Sequence, residues 1–484
     1  MRSKLRGSAA AAVAVMLSAC TVGPDYVRPE QPVPEEYVSG DSKQQELPRP
    51  KTRWWTQFGS EELNWLVDIA LANNHDVRAA MQRIAQAEAK AGMEAGALLP
   101  VIQGTGKTQT GKKSQNDFGA SSTGTQQLNS IGLEASYELD LWGKNRSNMA
   151  SAMATAHASV YERETVVVTL ISDVVTTYLQ YLQAAERVAV AKRNIENMLR
   201  VQAKVIKRQR IGEGTELEVM QQETALHNAE ANLPVVELAQ DQQLNRLAYL
   251  LGTTPGELRL QGRSMDSLTI PEVTPGLPSE LLLRRPDIRR AEANLVAANA
   301  NINMTRAKLF PSLTLTVDRG WSSSDVYNLL SPGSIYWTLG AKLAQTLFDN
   351  GKSNSEIAYY EARWNELIEL YRQSIVAALR DVEDALAAIK RHDSRNKAQI
   401  AMVRTARESY RLSQDSFTIG ITDYLTVLET ERTQYNAEDG LIQSRYSRYA
   451  AAVALFKALG GGTEDDPPPA APVAPAGGHD HVAD

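Results

Sequence analysis

Two stretches without Gly or Pro, Lys144 to Ile211 and Ser353 to Ile419, constrain what this chain can become. At about 1.5 Å per residue, a helix of either length runs to about 100 Å, well beyond the core helix of an ordinary globular domain. Each stretch closes on an Ile-Gly pair, Ile211-Gly212 and Ile419-Gly420, and helical patterning resumes within a few residues. The stretches are copies. Adding 208 carries Gly143-Lys144 to Gly351-Lys352, Gly212 to Gly420, Leu217 to Leu425, and Leu251-Gly252 to Leu459-Gly460. Upstream the offset is 211, from Asp76-Val77-Arg78 to Asp287-Ile288-Arg289, so the second copy has lost three residues somewhere between about 100 and 130. One architecture used twice is the first conclusion.

Between helices the hydrophobic period falls to two. Ile131, Leu133, Ala135, Tyr137, Leu139 and Leu141 alternate with Glu134, Ser136, Glu138 and Asp140. The second copy repeats the pattern: Leu313, Leu315 and Val317 alternate with Thr314, Thr316 and Asp318. Further on, Leu339, Ala341, Leu343 and Leu347 stand opposite Gly340, Lys342 and Thr346. One apolar and one polar face suit a membrane strand with a wet lumen, or equally a half-buried strand of a soluble sheet. A partner strand near Val101 to Thr110 alternates poorly and is assigned by its place in the repeat. Each half thus offers two strands joined by a polar segment, Lys107 to Gln127 and Gly320 to Ser334. Four strands cannot close a barrel, and lipid does not tolerate open edges, whereas three copies would supply twelve strands.

The flanking helices complete the unit. Ser60 is the expected N-cap of a helix to about Ala97, with Glu61 and Glu62 in its first turn. Val167, Ile171, Val174, Tyr178, Leu182, Ala185 and Ala189 form one seam of coiled-coil spacing, compatible either with a helical wall or with a solvent-bridging coiled coil. Pro234 and Gly440 occupy near-equivalent places in the two return helices and suggest a shared bend. The expected divisions are 1–19 signal peptide, 20–59 extended segment, 60–252 first repeat, 253–278 linker, 279–460 second repeat and 461–484 Pro/Ala-rich tail.

The N-terminus reads as an export signal: Arg2, Lys4 and Arg6, an apolar run from Ala9 to Leu17, then Leu17-Ser18-Ala19-Cys20. The single cysteine, Cys20, stands at the cleavage position, and this tetrapeptide resembles the bacterial lipobox, which implies acylation there. Loss of those three cations takes the formal net charge from −6 to −9, which does not suggest nucleic acid as a partner. No run of eighteen or more apolar residues follows the signal, so no transmembrane helix is expected. Gly106 to Lys113 approaches a phosphate-binding loop but carries Lys113 where Ser or Thr is needed, and no helix follows. His479 and His481 make at most a weak metal pair. Arg284-Arg285-Pro286-Asp287-Ile288-Arg289-Arg290 reads as a solvated helix start with Pro286 near N1. No cofactor, metal or enzyme motif is found.

The segment Cys20-Thr-Val-Gly-Pro-Asp-Tyr26 followed by Trp54-Trp55, the run Leu281 to Leu295 with Phe310-Pro311, and Thr418 to Glu429 together resemble outer-membrane efflux lipoproteins of the OprM and NodT type, relatives of TolC. The resemblance spans about residues 20 to 460. It implies a mainly α homotrimer, with a twelve-stranded β-barrel in the outer membrane over a long periplasmic α-barrel. Such a lipid-anchored trimer works with a periplasmic adaptor and an inner-membrane RND pump, and passes drugs or other small molecules out of the cell. In that family two acids one turn apart constrict the entrance; the matching positions are Thr426 and Glu429, so only Glu429 keeps the charge. Phe417 and Thr422 replace the aromatic and arginine lock of other members, leaving Asp423 and Arg210 as local substitutes. Gly212 and Gly420 match the tip glycines at which adaptors dock. A type I secretion exit duct shares this fold, and a periplasmic coiled-coil structural lipoprotein is the reading of a different class.

Overall fold

The computed structural model describes residues 22–39, 53–112, 125–271, 276 and 278–461. The signal peptide, Cys20, part of the linker, His479 and His481, and the tail beyond 461 lie outside these residues. The first repeat folds as α1 (Glu61–Asn73), α2 (His75–Gly96), β1 (Val101–Lys112), β2 (Thr125–Leu139), α3 (Lys144–Arg210) and α4 (Glu216–Leu250). The second gives α5 (Leu281–Arg284), α6 (Pro286–Ala307), β3 (Ser312–Ser323), β4 (Ile335–Ala344), α7 (Lys352–Thr418) and α8 (Tyr424–Ala458). The long helices α3 and α7 each have 67 residues, and the return helices α4 and α8 each have 35. Equal lengths in both copies are what a duplication predicts.

Two compact units emerge. The first holds 79–163 and 287–375 with the N-terminal segment to Pro32. Its centre is one antiparallel meander in the order β1-β2-β3-β4, with β2 and β3 joining the two repeats. The 211 offset holds to the last residues of β1 and β3, so the missing residues fall after Lys112. Strands extend further than alternation suggested, since the segments expected to join them contain Lys107 to Lys112 and Gly320 to Ser323 as paired strand. Backbone pairing, which needs no apolar side chain, carries β1 where its pattern is weak. Conversely, Leu141 and Leu347 lie beyond the strand ends.

Register decides the faces. Leu133 pairs with Arg319, which pairs with Trp337; Glu134 pairs with Asp318, which pairs with Thr338. One face therefore carries Ile131, Leu133, Val317, Trp321, Trp337 and Leu339, and the other Glu134, Glu138, Asp318 and Lys342. Leu133, Trp337, Leu339 and Leu343 are 62 to 75% exposed, an apolar face that nothing covers among the described residues. Gly320 has no alternative: a Cβ there would meet the Ile131 carbonyl at 2.2 Å. The N-terminal segment straps the unit, where the Pro24 carbonyl accepts from Asn299 (3.1 Å) and Asn303 (3.2 Å), and Arg28 pairs with Glu292.

The second unit holds the described residues within 33–78, 164–286 and 376–461. Trp54 stacks on Phe456 at 4.5 Å, and the Tyr449 hydroxyl donates to the Leu268 carbonyl at 2.8 Å. Within α3, Ile171, Val174, Tyr178, Leu182 and Ala185 are buried as the seam predicts, but Val168, Leu170, Val175, Leu179 and Tyr181 are buried as well, while Val167 is half-buried and Ala189 exposed. Packing from several sides widens the seam. The added apolar positions make one window of α3 resemble a membrane span by length and composition. Most of the window is buried against neighbouring helices, so it is a core segment.

The expected continuous helix from Ser60 breaks at Asn74, whose backbone is extended. Its Oδ1 accepts from the amides of Asp76 (2.9 Å) and Val77 (3.2 Å), capping α2, while its Nδ2 donates to the Leu250 carbonyl at 2.9 Å. Arg285, the repeat equivalent, breaks α5 from α6 because Pro286 forces the preceding residue out of the helical region. Arg285 is 9% exposed and donates to the Ala458 carbonyl at 3.0 Å, with Asp381 at 3.3 Å. This overturns the solvated reading of the arginine cluster: the carbonyl that ends the return helix draws the guanidinium inward. At Gly440 the absence of a Cβ leaves room for the Gln399 side chain, whose Nε2 donates to the Ala437 carbonyl at 3.0 Å.

Candidate functional site

Both long helices stop in the same way. Gly212 has φ 80° and Gly420 φ 78°, a left-handed conformation that costs glycine little. Gly212 N donates to Gln209 O (3.1 Å) and Glu213 N to Arg208 O (2.9 Å); Gly420 N donates to Phe417 O (3.1 Å) and Ile421 N to Ser416 O (2.9 Å). Each pair of bonds is a Schellman closure, which satisfies the last carbonyls and reverses the chain. Ile211, Ile419 and Ile421 are left 60 to 75% exposed beside the glycines, so each turn presents apolar surface outward.

The helices that follow are capped by opposite chemistry. Thr215 caps α4 in a capping box, its Oγ1 accepting from Glu218 N (3.2 Å) while Glu218 Oε2 accepts from Thr215 N (3.1 Å). In the second copy Asp423 is the cap, and its Oδ1 accepts from both the amide (2.9 Å) and hydroxyl (2.6 Å) of Thr426. These bonds hold the Asp423 carboxyl below its ordinary range, the Thr426 hydroxyl first. Thr426 therefore occupies the capping-partner position. Its missing acid is the counterpart of Glu218, exchanged for an acid at the cap.

Glu429 lies one turn further along α8, with its side chain 61% exposed. Arg432 on the next turn pairs with it at 3.0 Å. The sequence reading did not include Arg432, although its i+3 spacing was visible. Both residues border a groove of about 690 Å³ between α4 and α8, whose apolar lining includes Leu217, Met220, Leu425 and Leu428. Asp423, Thr426 and Glu429 thus share the first turns of one helix, with Glu429 alone at the groove.

Beneath the turns, Val201 and Val205 of α3, Tyr410 and Phe417 of α7, and Tyr424 and Val427 of α8 form one buried cluster. The cation at this cluster is Arg208. Its guanidinium lies 4.4 Å from the Phe417 ring centre, and it donates to Phe417 O (2.7 Å) and Glu213 O (3.2 Å), tying the two turns together. Arg210, the sequence candidate for that substitute, is two residues away and on a different face. Periodicity distinguishes the two: Arg208 follows Val201 and Val205 by seven and three, on the buried side.

One acid is buried here. Glu431 is 3% exposed, accepts from the Tyr410 hydroxyl at 3.1 Å through Oε1, and has no hydrogen-bond partner at Oε2. Burial pushes its carboxyl up to about 7, only partly offset by the Tyr410 hydroxyl. Its repeat equivalent, Glu223, is half-exposed and beside His227. Among the described residues no group of His, Cys, Asp and Glu is arranged to hold a metal ion.

Comparison with known proteins places this geometry in a lineage. The chain matches the family described as outer membrane efflux protein over residues 66–253 and again over 277–461. It is 39% identical over 417 residues to the pyoverdine export outer membrane protein OpmQ of Pseudomonas aeruginosa, covering 85% of this chain and 87% of that protein. The toluene efflux pump outer membrane protein TtgI of Pseudomonas putida is 30% identical over 459 residues, 93% of this chain and 96% of that one. Among solved structures, the outer-membrane channel OprN superposes with a TM-score of 0.86 at 29% identity, over 92% of this chain and 99% of that one. With both repeats matched in sequence and the fold matched throughout, this chain belongs to the outer membrane efflux protein family and is an outer-membrane component of efflux.

Proposed function

We propose that three copies of this chain form a duct, with a twelve-stranded barrel in the outer membrane and the paired helices forming the wall of a periplasmic channel. The observation that carries this reading is the four-stranded sheet itself. It has one charged face, one exposed apolar face, and free edges on β1 and β4. Unpaired edges are not stable in lipid, and joining β4 of one copy to β1 of the next satisfies them without any new element. The charged face then lines water and the apolar face meets lipid.

The divisions at 20–59, 60–252, 253–278, 279–460 and 461–484 fit such a protomer, with Cys20 carrying the acyl anchor after removal of 1–19. The duct is passive. A periplasmic adaptor contacts the turns at Gly212 and Gly420, whose exposed isoleucines offer apolar contact. An inner-membrane RND pump supplies the energy, and the cargo is a small organic molecule, the class named for the relatives. Asp423, Thr426 and Glu429 stand at the entrance. Arg432 beside Glu429 makes that ring a set of ion pairs, so its cation preference is weaker than three bare carboxylates would give. Single-channel recording from purified, acylated protein in planar bilayers tests this. Small conductance steps whose size or selectivity changes in Glu429→Ala are expected, whereas a folded monomer without steps would favour the structural lipoprotein.

A further inference from the structure

The outward face of β2, β3 and β4 is apolar except at one place. Arg319 is its only charged residue: its neighbours in register are Leu133 and Trp337, and Val317 and Trp321 are its neighbours along the strand. It is exposed, and among the described residues no acid pairs with it. The acids of these strands, Glu134, Glu138 and Asp318, are all on the opposite face. A cation without a protein partner on a lipid-facing surface is costly at mid-bilayer and tolerated near an interface. Position along the strand decides which applies. Arg319 is six residues from Leu313 at the helix-bearing end of the sheet, about 20 Å along the strand at roughly 3.3 Å per residue and so about 15 Å in height at a tilt near 40°, in the outer half of an apolar band about 25 Å tall. Trp321 and Trp337 flank it as interfacial aromatics do. The long arginine stem snorkels outward, carrying its head towards the outer boundary. At the end of β1, Lys112 lies on this same face through its pairing with Thr125, so the face carries two cations and no anion over the described strands.

From this arrangement we infer that Arg319, seated between Trp321 and Trp337, binds a phosphate of lipid A in the outer leaflet. The inference rests on the duct reading, which puts the helix-bearing end of the sheet in the periplasm and Arg319 in the outer half of the apolar band. Charge complementarity points to a phosphorylated lipid, and the fork of the guanidinium matches a phosphate bidentately. Because β3 is internal to the sheet, closing the barrel through β1 and β4 leaves this site open to lipid.

The test is native mass spectrometry of the full-length protein in detergent with bisphosphorylated lipid A, its dephosphorylated form and phosphatidylglycerol, for wild type, Arg319→Lys and Arg319→Leu. Wild type is expected to retain bisphosphorylated lipid A about tenfold better than either other lipid, as a charge-assisted contact would give. Arg319→Leu should lose that preference, and Arg319→Lys keep part of it. Leucine suits a lipid-facing strand, so Arg319→Leu should still run as a heat-modifiable trimer. Equal retention by wild type and Arg319→Leu, or equal binding of phosphatidylglycerol, overturns the lipid A site while conducting trimers keep the duct. Wild type that forms neither trimers nor channels overturns both.

Discussion

At Asn74 and at Arg285 the two repeats face the same backbone problem and answer it with different chemistry. Both positions interrupt the entering helix, and both side chains reach the carbonyl near the end of the return helix, Leu250 in one repeat and Ala458 in the other. A short neutral amide serves the first break; a long buried cation, balanced by Asp381, serves the second. The tips repeat the lesson, with acid and hydroxyl exchanged between Thr215/Glu218 and Asp423/Thr426. Duplication preserved the backbone geometry and let the side chains that satisfy it diverge. Equivalent substitutions in the two halves should therefore have unequal effects.

The largest single effects are expected at the breaks. Arg285→Ala should destabilise by about 3 kcal/mol, because it strips a buried carbonyl and Asp381 of one shared partner. Asn74→Ala should cost about 2 kcal/mol through a lost cap and one lost buried bond. Thermal unfolding of the purified protein measures both, and equal costs would deny that the two chemistries differ.

Next come the equivalent acids Glu431 and Glu223. The Glu431 carboxyl is raised to about 7, so the folded tip holds its proton more tightly than the unfolded chain does. Its packing is therefore favoured below about pH 4.5, loses stability as pH rises towards 7, and changes no further above that. Glu431→Gln should stabilise the α7–α8 contact above pH 7 by on the order of 2 kcal/mol and flatten its pH dependence, whereas Glu223→Gln should do neither. Hydrogen exchange of tip amides at pH 5 and pH 8 reads the effect; a wild-type tip equally protected at both would refute it.

A smaller contrast separates two arginines. Arg208→Ala should loosen the two turns by about 1 kcal/mol, through loss of a ring contact and a bond to the Phe417 carbonyl, and increase channel opening. Arg210→Ala should leave conductance unchanged, and an equal response would remove Arg208 as the tie. Smallest and most alike are the caps: Asp423→Ala and Thr215→Ala should each cost about 1 kcal/mol of local helix stability, visible as faster exchange at the Thr426 and Glu218 amides.

Much of this was legible in the residues. Gly212 and Gly420 fixed the turns, because few other residues accept their φ, and a constant offset exposed the duplication. The odd-numbered apolar series from Ile131 and Leu313 gave the strand faces, since a strand's side chains alternate whatever surrounds it. The break at Asn74 was hidden because asparagine is tolerated inside helices and its cap becomes visible only with the Leu250 carbonyl beside it. Arg432 is legible only as a spacing, three residues from Glu429, which by itself does not tell a pore pair from an ordinary surface pair.

Local geometry, then, belongs to the sequence: the extent of the two long helices, turn position, strand alternation and repeat register depend on neighbours a few residues apart. Partners far along the chain belong to the tertiary structure. Arg285 beneath Ala458, Arg208 on Phe417 and the buried Glu431 against Tyr410 each depend on which side of a helix faces another. That choice is made by packing, where burial sets the cost of leaving a charge or carbonyl unpaired.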